Sequence, residues 1–245
     1  MKRYLSILNA RTLLTIVISV AVPYLYYFLD LHYNLDLTLV SIAIIFPLVF
    51  TIRGAFRRRE KAMEHLSRFR SGLLSISYII ILNNKLEPAE KSKGLDLLET
   101  ISNAFLDYLN GKNNDLKTVD QNVNSFIAYI EDIREQVSNG VRQKIFGHLK
   151  DVNIGQENLV AIHTHRTPIS LKAYCLVFIY IFPIIYTPTI INKIGDDSPQ
   201  WLTYFIVVLS EFILISLYNI QDQMEHPFDA DGLDDIKLDT FRLKR

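Results

Sequence analysis

Residues 37–59, LTLVSIAIIFPLVFTIRGAFRRR, carry the strongest structural information in this chain of 245 residues. The first sixteen of them, 37–52, have no charged side chain, and five Lys or Arg residues follow within positions 53–61. Sixteen uncharged residues are slightly fewer than the roughly 20 that cross a bilayer as a helix. The small and basic residues beyond them extend the helix into the headgroup region, where Lys and Arg mark the cytoplasmic side. The stretch therefore predicts a membrane span whose basic end faces the cytoplasm.

Three bulky apolar residues, Ile42, Phe46 and Phe50, recur at every fourth position within this span. In a helix, this spacing places them on one face, one turn apart. Two interpretations are open. The stripe contacts lipid or packs against another helix, or copies of it form hydrophobic rings around a narrow pore.

Three further segments, 12–29, 171–191 and 201–220, have the length and apolar composition of membrane spans. The first lacks a small-residue cleavage site and is therefore a retained span and not a signal peptide. The links 30–36 and 192–200 are acidic, whereas the opposite ends of the spans are basic, so both termini are expected in the cytoplasm. Prolines inside three of the four spans predict bent helices, namely Pro23, Pro47, Pro183 and Pro188.

The charged middle of the chain has apolar stripes of helical period and no strand pattern longer than a few residues. Within it, the apolar stretch 72–82 is too short to span and predicts a buried or interfacial helix. The predicted fold class is therefore all-α, an integral membrane protein with four transmembrane helices and a cytosolic helical bundle. The expected divisions are a first hairpin at 1–53, the bundle at 54–170, a second hairpin at 171–220 and a cytosolic acidic tail at 221–245.

Chemistry in the chain is sparse. It has no glycine-rich phosphate loop and no nucleophile–base arrangement, so we expect no enzyme activity. The single cysteine, Cys175, excludes a disulfide within one chain. Glu211 lies near the middle of the fourth span, where a carboxylate is costly. It is either a functional group or a residue hydrogen-bonded to a neighbouring helix.

The most specific string follows the fourth span: NIQDQMEHPFDADGLDDIKLD, residues 219–239. Its Pro227-Phe228 pair and the acidic cluster behind it resemble the bestrophin family. Two other places agree: the Thr167-Pro168-Ile169 start of the third span, and the Ile42, Phe46 and Phe50 register, which is similar to the family's hydrophobic pore neck.

This resemblance implies a homo-oligomeric ion channel, expected as a pentamer, with its pore lined by the second span. It also implies a calcium-binding position at Gln223, Asp231 and Asp234, although His226 stands where an oxygen ligand is expected. The other interpretation of the tail is an acidic turn paired with basic residues of the bundle. We therefore expect no obligatory cofactor, with calcium as the one candidate.

The predicted function is passive transport of small inorganic ions through the neck. Arg53, Arg57 and Arg58 follow the neck and favour chloride-type anions at that mouth, and they also suit anionic lipid headgroups. The alternative is a non-conducting membrane-anchored scaffold or sensor whose bundle binds a protein partner. The expected setting is a bacterial inner membrane, with ions, lipid and further copies of the chain as partners and no nucleic acid.

Overall fold

The computed structural model describes residues 9–112, 115–166, 168–195, 198–230, 232 and 234–243. The described residues form helices and loops without strands. In chain order the helices are α1 (Ala10–Phe28), α2 (Thr38–Leu82), α3 (Pro88–Leu109), α4 (Leu116–Asp132), α5 (Asn139–Thr164), α6 (Ile169–Ile194), α7 (Trp201–Met224) and a short 3₁₀ helix, Leu238–Phe241. Four of them, α1, α2, α6 and α7, are long and apolar enough to cross a membrane. The predicted all-α class with four membrane spans is confirmed.

The chain divides into two compact units, 1–57 with 167–225 and 58–166 with 226–245. We call the first the membrane unit and the second the bundle. The expected divisions at 53, 170 and 220 fall four or five residues from these boundaries. The ends of the membrane helices explain the difference, because ion pairs among Lys172, Asp222 and Glu225 keep the first turn of α6 and the last turn of α7 in the membrane unit.

In the membrane unit, α1, α6 and α7 pack against one another. The buried face of α1 consists of small or polar residues, which let helices approach closely; they are Thr12, Thr15, Ser19 and Pro23. Where α7 ends, beside the first turns of α1 and α6, the fully buried Glu225 accepts a hydrogen bond from Lys172 Nζ at 2.9 Å. Arg11 pairs with Asp222 at 3.0 Å. Each buried carboxylate at this end is thus matched by a cation, as burial in low dielectric requires.

The bundle is built from α3, α4, α5 and the second half of α2, around an apolar core. The stretch 72–82 forms the last turns of α2, with Leu73, Ile76 and Ile80 buried in that core. No proline interrupts α2 between 59 and 82, and the helix continues without a break through Ser71-Gly72, a dipeptide that more often marks a turn. Its charged middle still buries Leu66 and Phe69 at helical spacing.

Two glycines set the crossing of α2 and α5. A Cβ on Gly155 would lie 3.0 Å from Phe69 Cβ and 3.1 Å from the His65 carbonyl oxygen. A Cβ on Gly72 would lie 2.7 Å from Val152 Cγ2. Only glycine admits an approach this close between two helix backbones.

The C-terminal segment 226–243 folds back onto the bundle. Phe228, Ile236 and Leu238 enter its core, and Arg242 donates to Asn103 and to Asp107 at 2.9 and 2.6 Å. Hydrogen bonds to the Asp107 and Asp239 carboxylates, and the negative charges of both, raise the pKa of the Arg242 guanidinium, so it is charged at every physiological pH.

Candidate ion pathway along α2

One face of α2 is left uncovered. The side chains of Ile42, Phe46 and Phe50 are 47%, 57% and 59% exposed, and the rings of the two phenylalanines lie 5.8 Å apart. At 100° per residue these three positions cover an arc of about 80°. The predicted stripe is therefore one continuous apolar surface on the chain.

The opposite face of α2 packs against the rest of the membrane unit. Leu48 is 2% exposed and belongs to one apolar cluster with Cys175 and Ile179 of α6 and Leu214 and Ile215 of α7. Leu48 lies about 200° around the helix from Phe46. The packed and uncovered faces are thus distinct, and α2 presents the stripe away from its own subunit.

Tyrosines of α6 hold α2 in this orientation. Tyr186 donates to the Leu37 carbonyl oxygen at 3.2 Å, and its hydroxyl also contacts that of Ser41. Tyr174 donates to the Ala43 carbonyl oxygen at 3.4 Å. Ala43 precedes Pro47 by four residues, so the missing proline N–H leaves this carbonyl without its helical donor. The tyrosine supplies a replacement.

The predicted mouth charges separate into two groups. Arg53 and Arg57 are exposed, and their positions on the helix fall within the arc of the stripe. Arg58 lies on another side and donates to the Ile162 carbonyl oxygen at 3.1 Å and to that of His165. These carbonyls end α5, so the guanidinium satisfies acceptors that a helix terminus leaves open. Arg58 is held within the bundle by these bonds.

The other predicted site residues, at the start of α6 and in the candidate calcium position, do not form one cluster among the described residues. Pro168 is the N-cap of α6 and Ile169, its first residue, is exposed, while Thr167 lies outside the described residues. Asp231 also lies outside them. Gln223 belongs to the membrane unit and Asp234 to the bundle. Among the described residues, no group of three His, Cys, Asp or Glu side chains is placed to hold a metal ion.

The tail contacts an arginine through its backbone. The Asp234 carbonyl oxygen accepts a hydrogen bond from Arg59 Nε at 2.6 Å. The Asp235 carboxylate instead accepts from the Gly232 N–H at 2.6 Å and closes the turn. Arg59 thus contacts the tail through a backbone carbonyl, and the pairing of the tail's acidic side chains with the arginine block stays a prediction.

Sequence reasoning did not find a half-buried histidine, His163, near the end of α5. The ring of His163 lies 5.5 Å from that of Tyr108 and 6.2 Å from that of Phe228. Burial, Arg166 and His226 together lower the pKa of His163 below its ordinary value. The basic, aromatic-rich composition of 163–166 and 226–228 was visible in the sequence, but the contact joins segments about sixty residues apart.

Comparison with known proteins identifies this arrangement. No protein-family model and no curated protein matches the chain. Solved structures do match it, and three of them are single-residue variants of a bacterial bestrophin homologue from Klebsiella pneumoniae. Two of them superpose with a TM-score of 0.79 at 15% identity, and the third with 0.77 at 16% identity. Each alignment covers 94% of this chain and 93–94% of the other. The chain therefore has the fold of the bacterial bestrophin homologues, as the resemblance in its neck and tail predicted.

Proposed function

We propose that this protein is a bestrophin-like ion channel that passes small inorganic ions through a neck lined by α2. The observation that supports the proposal is the uncovered apolar stripe of Ile42, Phe46 and Phe50, opposite the packed face of α2. One chain of four spans cannot enclose a pore. Cyclic assembly of several copies, expected as a pentamer, would turn each residue of the stripe into a ring.

The rings would act as a gate without charge. Successive rings would be one turn, about 6 Å, apart along α2. A narrow apolar constriction of this length blocks ions by excluding water and opens when it widens and becomes wet. The exposed Arg53 and Arg57 follow within two turns of Phe50, and their positive field favours anions such as chloride at that mouth.

The test compares two sets of three substitutions in liposome flux assays. Replacing Ile42, Phe46 and Phe50 with alanine widens the neck and should raise ion flux. The matched control replaces Phe205, Leu209 and Ile213 of α7, which have the same four-residue spacing and are 55%, 44% and 49% exposed. These control residues face lipid in our proposal, so their removal should leave flux unchanged. Equal flux in the two variants would refute the neck.

Assembly is tested separately by cross-linking. A cysteine at Phe46 should form disulfides between subunits, whereas one at Leu209 should not. The native Cys175 is buried and does not compete. A monomer by native mass measurement would exclude the channel, and the scaffold alternative would then take its place.

Three finer expectations belong to the same proposal. We place the protein in a bacterial inner membrane with both termini and the bundle in the cytoplasm, because basic residues are retained there. A membrane-impermeant label reaching residues 110–115 from outside intact cells would contradict this. Calcium binding at Gln223, Asp231 and Asp234 stays a prediction, which flux measured with calcium and with chelator would test. We propose no catalytic activity.

A further inference from the structure

The pairing of α1 with α7 follows a regular antiparallel register. At the outer end, the Tyr27 hydroxyl hydrogen-bonds with that of Thr203 at 2.8 Å. At the inner end, the Asn219 side chain donates to Thr12 Oγ1 at 2.9 Å. In an antiparallel pair, residues at the same level have nearly the same sum of residue numbers, and here the two sums are 230 and 231. Between them, the buried Ser19 of α1 therefore stands opposite Glu211 of α7.

Prolines leave backbone acceptors in this unit, and tyrosines satisfy two of them. Pro188 has no N–H for the Ile184 carbonyl oxygen, which instead accepts from the Tyr26 hydroxyl at 3.0 Å. Tyr174 serves the Ala43 carbonyl in the same way. An acceptor buried in a membrane needs such a donor, because no water competes for it.

Pro23 leaves a third acceptor, the carbonyl oxygen of Ser19. The Ser19 hydroxyl cannot help, since it donates to the Thr15 carbonyl at 2.5 Å, and Thr15 Oγ1 donates to that of Arg11 at 2.8 Å. The Ser19 carbonyl and hydroxyl oxygens can therefore accept hydrogen bonds, but Ser19 has no side-chain proton left to donate to α7.

Glu211, which lies opposite Ser19 in this register, is a fully buried side chain. Neither of its carboxylate oxygens has a hydrogen-bond partner among the described residues. An ionised carboxylate that accepts no hydrogen bond in a membrane interior is strongly unfavourable. A neutral carboxylic acid, in contrast, brings the one donor that the Ser19 oxygens lack.

We propose that Glu211 is a proton-binding site that latches α1 to α7: the neutral acid donates its proton to an oxygen of Ser19. Loss of that proton leaves a carboxylate against acceptors and loosens the pair. This inference concerns the membrane unit of one chain and is independent of the neck.

The described charged groups of the membrane unit nearest to Glu211 lie at the two ends of the unit, with Asp30, Asp36 and Lys193 at the end where α7 begins and Arg11, Lys172, Asp222 and Glu225 at the other. The nearest charge on α7, Asp222, is eleven residues or about 16 Å along the helix from Glu211. The inner-end charges Arg11, Lys172, Asp222 and Glu225 compensate one another. The buried residues that α6 and α2 contribute around this part of α7 are uncharged, namely Cys175, Ile179, Pro183, Thr187 and Leu48.

The experiment compares the same substitution at two fully buried glutamates in the full-length, detergent-solubilised protein. Glu211→Gln keeps the shape and an N–H donor, so thermal stability at neutral pH should be unchanged. Glu225→Gln removes the negative partner of Lys172 and should lower it. Raising the pH should destabilise the parent protein more than Glu211→Gln. Infrared spectra at neutral pH should show a protonated carboxylic-acid C=O band that Glu211→Gln lacks.

Three results would overturn the proposal. One is the absence of that infrared band from the parent protein at neutral pH. Another is a Glu211→Gln variant as unstable as Glu225→Gln, or one that does not fold, because the neutral isostere would then fail to replace the native group. The third is restoration of parent stability by added sodium or potassium in place of protons, which would make Glu211 an ionised cation ligand.

Discussion

Substitution of Gly155 by alanine tests how closely α5 crosses α2. Alanine stabilises a helix interior by about 1 kcal/mol relative to glycine. At Gly155 the new methyl group would lie 3.0–3.1 Å from Phe69 Cβ, Phe69 N and the His65 carbonyl oxygen. Two of these three atoms belong to the α2 backbone and cannot rotate away. Forced overpacking of this kind costs about 1–3 kcal/mol, so the net effect should lie between neutral and about 2 kcal/mol destabilising.

Gly147, in the same helix, is the matched control. Its Cβ would have no neighbour within 4 Å, so Gly147→Ala should stabilise the bundle by the full propensity term, about 1 kcal/mol. The two variants should therefore differ by about 1–3 kcal/mol. In a chain of this length each kcal/mol moves the melting temperature by about 2–4 °C. Thermal unfolding followed by circular dichroism measures this gap. Equal melting temperatures would refute the close crossing.

Three other predictions concern the membrane helices, the histidine and the mouth. Tyr26→Phe leaves the Ile184 carbonyl without its donor and should cost about 1 kcal/mol by thermal unfolding, whereas Tyr24→Phe, at an exposed ring, should cost nothing measurable. The lowered pKa of His163 means that, as the pH falls, the unfolded chain protonates this side chain before the folded one does, so stability should fall as the pH drops below about 6.5. His163→Gln should flatten that part of the curve of stability against pH. An unchanged curve in this variant would contradict the lowered pKa of His163. Replacing Arg53 and Arg57 with glutamine should shift the reversal potential under a salt gradient towards cations, and a shift towards anions would show that these arginines do not face the permeating ion.

Much of the fold was predictable because membrane spans are set by local properties. These properties are uncharged runs, basic and acidic flanks and the four-residue stripe. They depend only on residues close in the sequence, so they can be recognised without tertiary contacts. The all-α class and the four spans were predicted in this way, while the resemblance to bestrophins rested on the motifs in the tail and the neck; all are confirmed at the level of the fold. The stretch 72–82 shows the limit, since eleven apolar residues do not reveal that they end a helix of 45 residues.

Contacts between distant segments required the tertiary structure. Arg57 and Arg58 are adjacent and chemically equal, yet one is exposed on the arc of the stripe and the other caps α5, because one residue rotates a helix by 100°. Likewise, Pro188 predicts that the Ile184 carbonyl oxygen lacks its helical donor. The group that replaces this donor is the Tyr26 hydroxyl, 158 positions away in the chain. The sequence by itself determined which groups need partners, through charge, proline and apolar periodicity. Only the tertiary structure decided which partner each one has, because that depends on how separate helices align.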